Sequence, residues 1–484
     1  MELLSPAGNV EKLYYAFAYG ADAAYIGLKK FSLRVKADNF YDDEYKKVAA
    51  LKARFPGRRI HCALNISFHN NDIEAFKNNI DYFRQYPIDA FIVQDLGIVP
   101  LLQKEFPGVQ LHVSTQASCI NYEAVKMYRS LGFSRVVLGR EVSLDEIRQI
   151  KDAVPDMELE AFCHGAMCIA YAGRCLMSAY LTGRSAQSGF CSQTCRWNYG
   201  VLAGGGKELA ESGLLALEEE KRPGEYFPVY EGDDFTAVLS SKDISMISHL
   251  ADMKAAGLDS LKIEGRMKSV YYVALVTRAY RKALDALEGT ITEAEAAPFI
   301  AELENVAHRE STTGFYYGRE DADKTTSGAS DSPYLLAAEI GTELTETDRQ
   351  AVFASGAESA AEFDRNLNAL CPEARAARDR DLAQHPGKIP SAARCREGWH
   401  MYSFTPLNKT DVRQELEIIT PDEAVLYAAP GTWEFIDPET GTLREWAFDG
   451  HPCVLYTEYK LNEGALIRTK DPGYVKGKFR DSGR

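Results

Sequence analysis

QLHVSTQASCINYEAVKMYRSLGFSRVVLG, residues 110–139, opens on a short β-rich apolar run, Gln110 to Ser114, and closes on another, Arg135 to Gly139. Between them Ala124, Met127, Tyr128 and Leu131 recur at the i, i+3, i+4, i+7 spacing that puts one apolar stripe on a helix lying against a sheet. Gly132 follows the stripe directly, at the place where a helix stop needs a left-handed backbone. Strand, helix and strand in this order make one βαβ unit.

The same alternation extends both ways. Glu2 to Leu4, Ala23 to Leu28, Arg59 to Ile66 and Asp89 to Gln94 precede it, and Glu158 to Cys163 and Leu258 to Glu264 follow, giving eight candidate strands in the first 290 residues. Val10, Leu13, Tyr14 and Phe17 repeat the helical stripe, and Gly20, Pro56-Gly57, Pro107-Gly108 and Gly257 supply further helix stops. Eight such repeats are the α/β pattern of a TIM-like (β/α)8 barrel, with an open doubly wound sheet as the rival. One interval is overlong: from His164 to about Ser241 an insertion separates the seventh strand from its helix. Chemistry in such barrels sits on the loops that follow the strand ends, so this insertion falls on the expected working face.

Residues 1–290 are therefore expected to form the barrel, with the insertion at 164–241. Residues 291–333 read as a helical extension, Thr292 to Val306, and a Gly/Ser/Asp-rich linker at Thr325 to Asp331. Residues 334–484 read as a C-terminal β-barrel or sandwich, from alternating runs such as LEIIT, AVLYA, HPCVLYTEY and ALIRT. Within it, residues 343–394 are rich in Ala, Glu, Asp and Arg and read as a helical insertion, with the strand-like YLLAAEIG, 334–341, belonging to the domain across that insert.

The chain of 484 residues is 45% hydrophobic and 26% charged, an ordinary globular composition. Its net charge of -15 excludes a protein that coats nucleic acid through its overall field, while leaving local patches open. The stretch from Lys460 to Arg484 is basic and reads as a solvated tail. No apolar run reaches membrane-spanning length and MELLSPAGNVEKL does not resemble an export signal, so a cytoplasmic protein without membrane contact is expected.

Four of the ten cysteines crowd into HGAMCIAYAGRCLMSAYLTGRSAQSGFCSQTC, residues 164–195. Cys168-x6-Cys175-x15-Cys191-x3-Cys195 offers one thiolate to each iron of a cuboidal cluster. Structural zinc and reduced, unligated thiols are the other readings, although zinc sites usually bring cysteines as tight pairs and only the last two here are so spaced. Cys163 reads as a core residue of the strand.

Four stretches then carry a resemblance: ELLSPAGNVEKLYYAFAYGADAAYIGLKKFSLR, EAFCHGAMCIAYAGRCLMSAYLTGR, GFCSQTCRWNY, and SSKDISMISHLADMKAAGLDSLKIEGRMKSVYYVALVTRAYRKALD. In this order they resemble the collagenase-like peptidase family of unknown mechanism, number thirty-two, over residues 1 to about 320. CRWNY, LEIITP and ALIRTK look most like its tRNA uridine hydroxylase branch. The resemblance implies oxygen-independent hydroxylation at C5 of the wobble uridine of tRNA, with prephenate as oxygen donor and an iron–sulfur cluster of the four-iron, four-sulfur type on Cys168, Cys175, Cys191 and Cys195. It implies the tRNA anticodon loop and prephenate as partners and allows a paralogue of the same family as a second subunit. Relatives acting on ribosomal RNA or the ubiquinone ring, and a collagenase-like peptidase, are the alternatives.

Candidate site residues follow from position. His164 at the end of strand seven is a candidate base, proton shuttle or half of a Cys/His dyad, set against a histidine that merely packs at the barrel mouth. Lys262, Glu264 and Arg266 alternate along the last strand and share one face. Prephenate is a dicarboxylate: Arg266 offers a planar fork for one carboxylate, Lys262 or Lys268 a point charge, and Glu264 a means of holding the cations, unless these groups are only an internal ion-pair network. His164, Lys262 and Glu264 are thus the catalytic candidates. Ser240-Ser241-Lys242-Asp243 is expected to open a helix, either as a plain N-cap or as an anion site that includes Lys242. Arg140-Glu141 and Gln116 follow strand ends and could line the cavity, as could Asn65. Arg196, Trp197 and Tyr199 suit base stacking beside a phosphate contact, or burial of Trp197 against the cysteine site.

Overall fold

Eight parallel strands close on themselves in the computed structural model: β1 (Glu2–Pro6), β2 (Ala23–Ile26), β3 (Arg59–Leu64), β4 (Ala90–Val93), β5 (Gln110–Val113), β6 (Arg135–Val137), β7 (Glu158–Ala166) and β8 (Ser260–Ile263). Each pairs with the next, and β8 lies between β7 and β1, which makes the sheet a (β/α)8 barrel and excludes the open doubly wound alternative. The structure describes residues 1–28, 31–33, 39–168, 170–188, 190–196, 199–202, 215–219, 226–229, 231–232, 235–236, 241–318, 332–370, 372–384 and 391–471.

The strands are apolar on both faces because both are covered. Leu4, Ala23, Tyr25, Ile92, Val137 and Phe162 meet inside the barrel, while Leu3, Ile60, Phe91, Leu111, Val136 and Leu261 are buried on its outside. In the 110–139 unit the helix Tyr122–Ser130 is capped at its start by Asn121, which accepts from the Ala124 N–H at 2.9 Å, and stops at Gly132 with φ +89°. Three strands end two residues earlier than the sequence suggested: β2 stops at Ile26, before Leu28 bridges to Phe40, β3 at Leu64, before Asn65 lines the barrel mouth, and β6 at Val137.

Strand β7 instead runs past Cys163 to Ala166, beyond the rim. Its projecting end pairs antiparallel with Asp243–Ser245, which also pairs with Ser311–Thr312. This corrects the expectation at Ser240-Ser241-Lys242-Asp243. The segment returning from the insertion does not open a helix; it is drawn into the ladder that the overlong β7 leaves unpaired.

The chain divides into two compact units, one holding the barrel and the other an antiparallel sheet together with Ala301–Val306. In the second unit Tyr334–Glu343 pairs with His400–Pro406 on one side and Leu466–Lys470 on the other. Helices Glu346–Asn368 and Pro372–Gln384 lie between those first two strands in the chain. Ile340, Phe404, Ile418, Trp433, Phe435 and Leu455 form its core. The expected linker at Thr325 to Asp331 and the tail beyond Asp471 lie outside the described residues. Among the described residues no helix is long and apolar enough to cross a membrane.

Candidate functional site

The C-terminal ends of the barrel strands surround a cavity, the usual location of a site in this architecture. Tyr25 (β2), Asn65 after β3, Ser114 and Gln116 after β5, Arg140 after β6, Phe162 (β7), and Lys262, Glu264 and Arg266 on and after β8 all line it. The alternation read along the last strand therefore holds, and Arg140, Gln116 and Asn65 join the same wall. Arg140 donates to Glu264 at 2.9 Å and lies over the Phe162 ring at 3.7 Å. The Arg266 guanidinium is buried and donates to Ser32 Oγ at 2.7 Å. It passes so close to Gly27 that a Cβ there would come within 2.5 Å of Nη1, so a side chain at this position would displace the guanidinium. Among the described residues that line the cavity, Arg140, Lys262 and Arg266 are the cations and Glu264 is the carboxylate.

Below the apolar layer of Leu4, Tyr25, Ile92, Val137 and Phe162 the barrel interior is polar and closed. Glu160 accepts from Lys262 at 2.8 Å, from Arg135 at 2.9 Å and from Ser260 at 3.2 Å. Arg135 also pairs with Glu158 and Glu2, and Glu2 pairs with Arg59. Burial pushes the Glu160 carboxyl up, but Lys262 and Arg135 together pull it below the ordinary range and keep it ionised. The neighbouring His61 and His112 rings are fully buried, edge to face at 4.8 Å between centroids, and burial pushes His61 down to about 4. Among the described residues His61, His112 and Glu160 are the only three such groups close enough for one ion, with ligand atoms within 4.8 Å of one another. A divalent ion there would face Lys262 and Arg135 across the same carboxylate, so the trio is read as part of the buried ion-pair layer.

The cysteine segment arches over the mouth. Ser67 after β3 donates its N–H to the Gln187 carbonyl at 3.1 Å, Ser118 after β5 donates to the Ala172 carbonyl, and Glu141 after β6 accepts from the Ala172 N–H at 3.2 Å. Gly173 has φ +73°, and a Cβ there would collide with the Gln116 carbonyl, which fixes a glycine between Cys168 and Cys175. Ser178 lies in the first turn of a short helix, Met177–Thr182; its hydroxyl accepts from the Ser192 N–H at 3.0 Å and donates to Cys191 Sγ at 3.7 Å. Gln187 donates to the Cys175 carbonyl at 2.8 Å, tying the two halves of the segment together.

All described cysteines are free thiols, of two kinds. Cys62, Cys119, Cys163 and Cys453 are buried, and burial raises each thiol's pKa, to about 12 for Cys119 and Cys453. Cys168, Cys191 and, in the second unit, Cys395 are exposed, and Cys175 and Cys195 are half-buried. One tetrahedral zinc would hold its thiolates about 3.8 Å apart. Cys168, Cys175, Cys191 and Cys195 are a donor set of the kind that either a zinc ion or an iron–sulfur cluster takes.

Other candidates lie elsewhere. The register slip between Lys262 and Ile263 opposite β7 leaves His164 facing the helix Val270–Leu287, with Nδ1 3.3 Å from the Tyr280 hydroxyl and Tyr272 nearby. Burial pushes its pKa down to about 3, and it does not line the cavity. Lys268 bonds the Ala307 carbonyl at 2.9 Å, and Lys242 pairs with Glu310 at 3.2 Å in a separate shallow depression. The side chain of Arg196 and all of Trp197 lie outside the described residues. Sequence reading missed Ser32, Ser178 and the Glu160 layer. The alternation Glu158, Glu160, Phe162 along β7 was a usable signal for the last, whereas nothing in the order of residues joins Ser32 to Arg266.

Comparisons with known proteins agree on one family. The model of Peptidase family U32 matches residues 8–326. The tRNA hydroxylation protein P of Escherichia coli (strain K12) is 38% identical over 341 residues, covering 65% of this chain and 74% of that one. The 23S rRNA 5-hydroxycytidine synthase of the same organism is 35% identical over 348 residues, 70% of this chain and 48% of that one. A protein named collagenase from Porphyromonas gingivalis (strain ATCC BAA-308 / W83) is 30% identical over 331 residues, 66% of this chain and 74% of that one.

Proposed function

The chain belongs to Peptidase family U32, and from that premise we propose that it is an RNA-modifying hydroxylase working at the mouth of its barrel. The proposed substrate is the wobble uridine of tRNA, hydroxylated at C5 without dioxygen, with prephenate as the source of oxygen. Two of the relatives above are named for RNA hydroxylation, which supports the reaction class and a cytoplasmic setting. The observation that carries the reading is the stacking of two features: four accessible cysteines on a segment that arches over a cation-lined cavity.

Cys168, Cys175, Cys191 and Cys195 would hold an iron–sulfur cluster of the four-iron type, with Ser178 as a hydrogen-bond donor to the Cys191 sulfur. Such a cluster, when bound, supplies electron transfer or an electrophilic iron. The chain's own residues do the rest. Arg266, held by Ser32 and Gly27, presents a planar fork to one carboxylate of a dicarboxylate, and Arg140 offers a second cation whose position Glu264 fixes. Lys262 is committed to Glu160 and adds positive potential from below. A base splayed from a single-stranded loop reaches such a mouth at low cost, because it has no pairing to break. Against a peptidase stands His164, which faces Tyr280 and is held neutral, away from the cavity.

Mass spectrometry of tRNA nucleosides from cells with and without this protein tests the reading. Loss of 5-hydroxyuridine derivatives is expected. Unchanged levels in cells that lack any paralogue of this family, together with cleavage of a peptide substrate by iron-free protein, would replace it with the peptidase.

A further inference from the structure

From Ala161 to Lys207 the chain has no Asp or Glu, although it carries 70 of them in 484 residues, and the same run holds Arg174, Arg184, Arg196 and Lys207. An acidic protein is locally basic over this run, and the described part of it, through Cys195, includes the segment bonded to the loops of the barrel mouth. Apolar rings are turned outward in this run: Tyr180 is 87% exposed, Tyr171 51% and Phe190 44%, and Leu176 is exposed as well. Arg174 and Arg184 are also exposed.

The exposure of Tyr180 has a local cause. Ser178 and Thr182, four residues apart, share the helix face that bonds Ser192. Tyr180, two residues from each, is therefore thrown to the opposite side, away from the cysteine loop it helps to build. Tyr171 sits three residues after Cys168 at a turn closed by the Arg174 N–H onto the Tyr171 carbonyl at 3.0 Å, which places an arginine beside the ring's own loop.

We propose that this stretch is a nucleobase platform: Tyr180 and Tyr171 stack unpaired bases of the RNA loop whose nucleotide enters the mouth, and Arg174 and Arg184 hold the flanking phosphates. The inference rests on the RNA-modifying reading and adds to it where the RNA lies. Every base has a face that stacks on an aromatic ring, and every nucleotide carries a phosphate, so an acid-free surface with outward tyrosines and arginines is complementary to single-stranded RNA. A second copy of this chain fits less well, because two such faces would bring like charges together.

The test uses the full-length protein purified anaerobically with its bound metal, and an unmodified tRNA transcript with uridine at the wobble position. Tyr180→Ala is expected to weaken binding about five- to a hundredfold, Tyr180→Trp to restore it, and iron and sulfide content to stay unchanged in both. Charge reversal by R174E with R184E is expected to weaken binding and to reduce its salt dependence by about two released ions. Wild-type binding with no change in either variant overturns the platform and leaves the RNA reading standing. Absence of transcript binding by the wild type brings down both. Loss of iron in step with binding assigns the stretch to holding the metal centre and overturns the platform. So does a dimer that Tyr180→Ala dissociates while transcript affinity is unchanged.

Discussion

At the N-terminal end of the barrel, Arg135 meets Glu2, Glu158 and Glu160, and Glu160 in turn meets Lys262 and Ser260, all of it out of reach of solvent except at the rim. At the C-terminal end Arg140 meets Glu264, Arg266 donates to a neutral serine, and both face a cavity. The two ends hold the same kinds of charge in different surroundings. The lower set is closed in the barrel interior, where Arg135 and Lys262 share the Glu160 carboxylate. The upper set lines a cavity, where a change of side chain alters what the cavity can hold.

The comparison breaks most easily at Glu160. Removing its charge with Glu160→Gln leaves Arg135 and Lys262 facing each other in a dry interior and should cost about 3–5 kcal/mol of stability, read as a shift in the urea midpoint, while the affinity of the folded fraction for the anionic co-substrate does not fall. A parallel fall in that affinity would mean the two ends are not separate. Acid should find the same lower layer. Folded His61 takes up a proton only near pH 4, whereas in the unfolded chain it does so near 6.5, so the unfolded state binds more protons between these values. Stability contributed by the neutral ring is present above about 6.5 and is lost as pH falls towards 4, by about 3 kcal/mol in total. Urea titrations across this range should show the loss, and His61→Phe should flatten it.

At the mouth the signs reverse, with function hit harder than folding. Arg266→Lys keeps the charge but not the fork, and should lower kcat/KM for the co-substrate about 10–100-fold with little change in the urea midpoint. The smallest effect is expected at Ser178→Ala, which removes one O–H donor from Cys191 and should weaken metal retention during purification while costing about 1 kcal/mol of stability.

The barrel was legible because its signal is local and repeated: each strand is an apolar run and each helix a stripe ending at a glycine such as Gly132. The cysteine segment stands out in the sequence because a rare residue is dense there, and the structure shows how it is tied to the loops of the barrel mouth. What the sequence hid depends on register and on long-range contact. His164 reads as a mouth residue until a one-residue slip against β8 turns it towards Tyr280. Lys242 reads as the start of a helix because Ser-Ser-Lys-Asp caps helices well. The unpaired overhang of β7, which claims that segment as a strand, is set by where the ladder of β8 ends. Arg140 and Arg266 were placed correctly by counting from strand ends, but Ser32, which holds Arg266, lies more than two hundred residues away in the chain.

The account stands or falls on the division between the two kinds of cysteine. The direct measurement is iron and acid-labile sulfide per chain after anaerobic purification, for the wild type and for Cys168→Ala, Cys175→Ala, Cys191→Ala, Cys195→Ala and Cys62→Ala. About four irons and as many sulfides are expected in the wild type and in Cys62→Ala, with loss in each of the other four. One zinc without sulfide, or iron that survives substitution of any of the four, would contradict it.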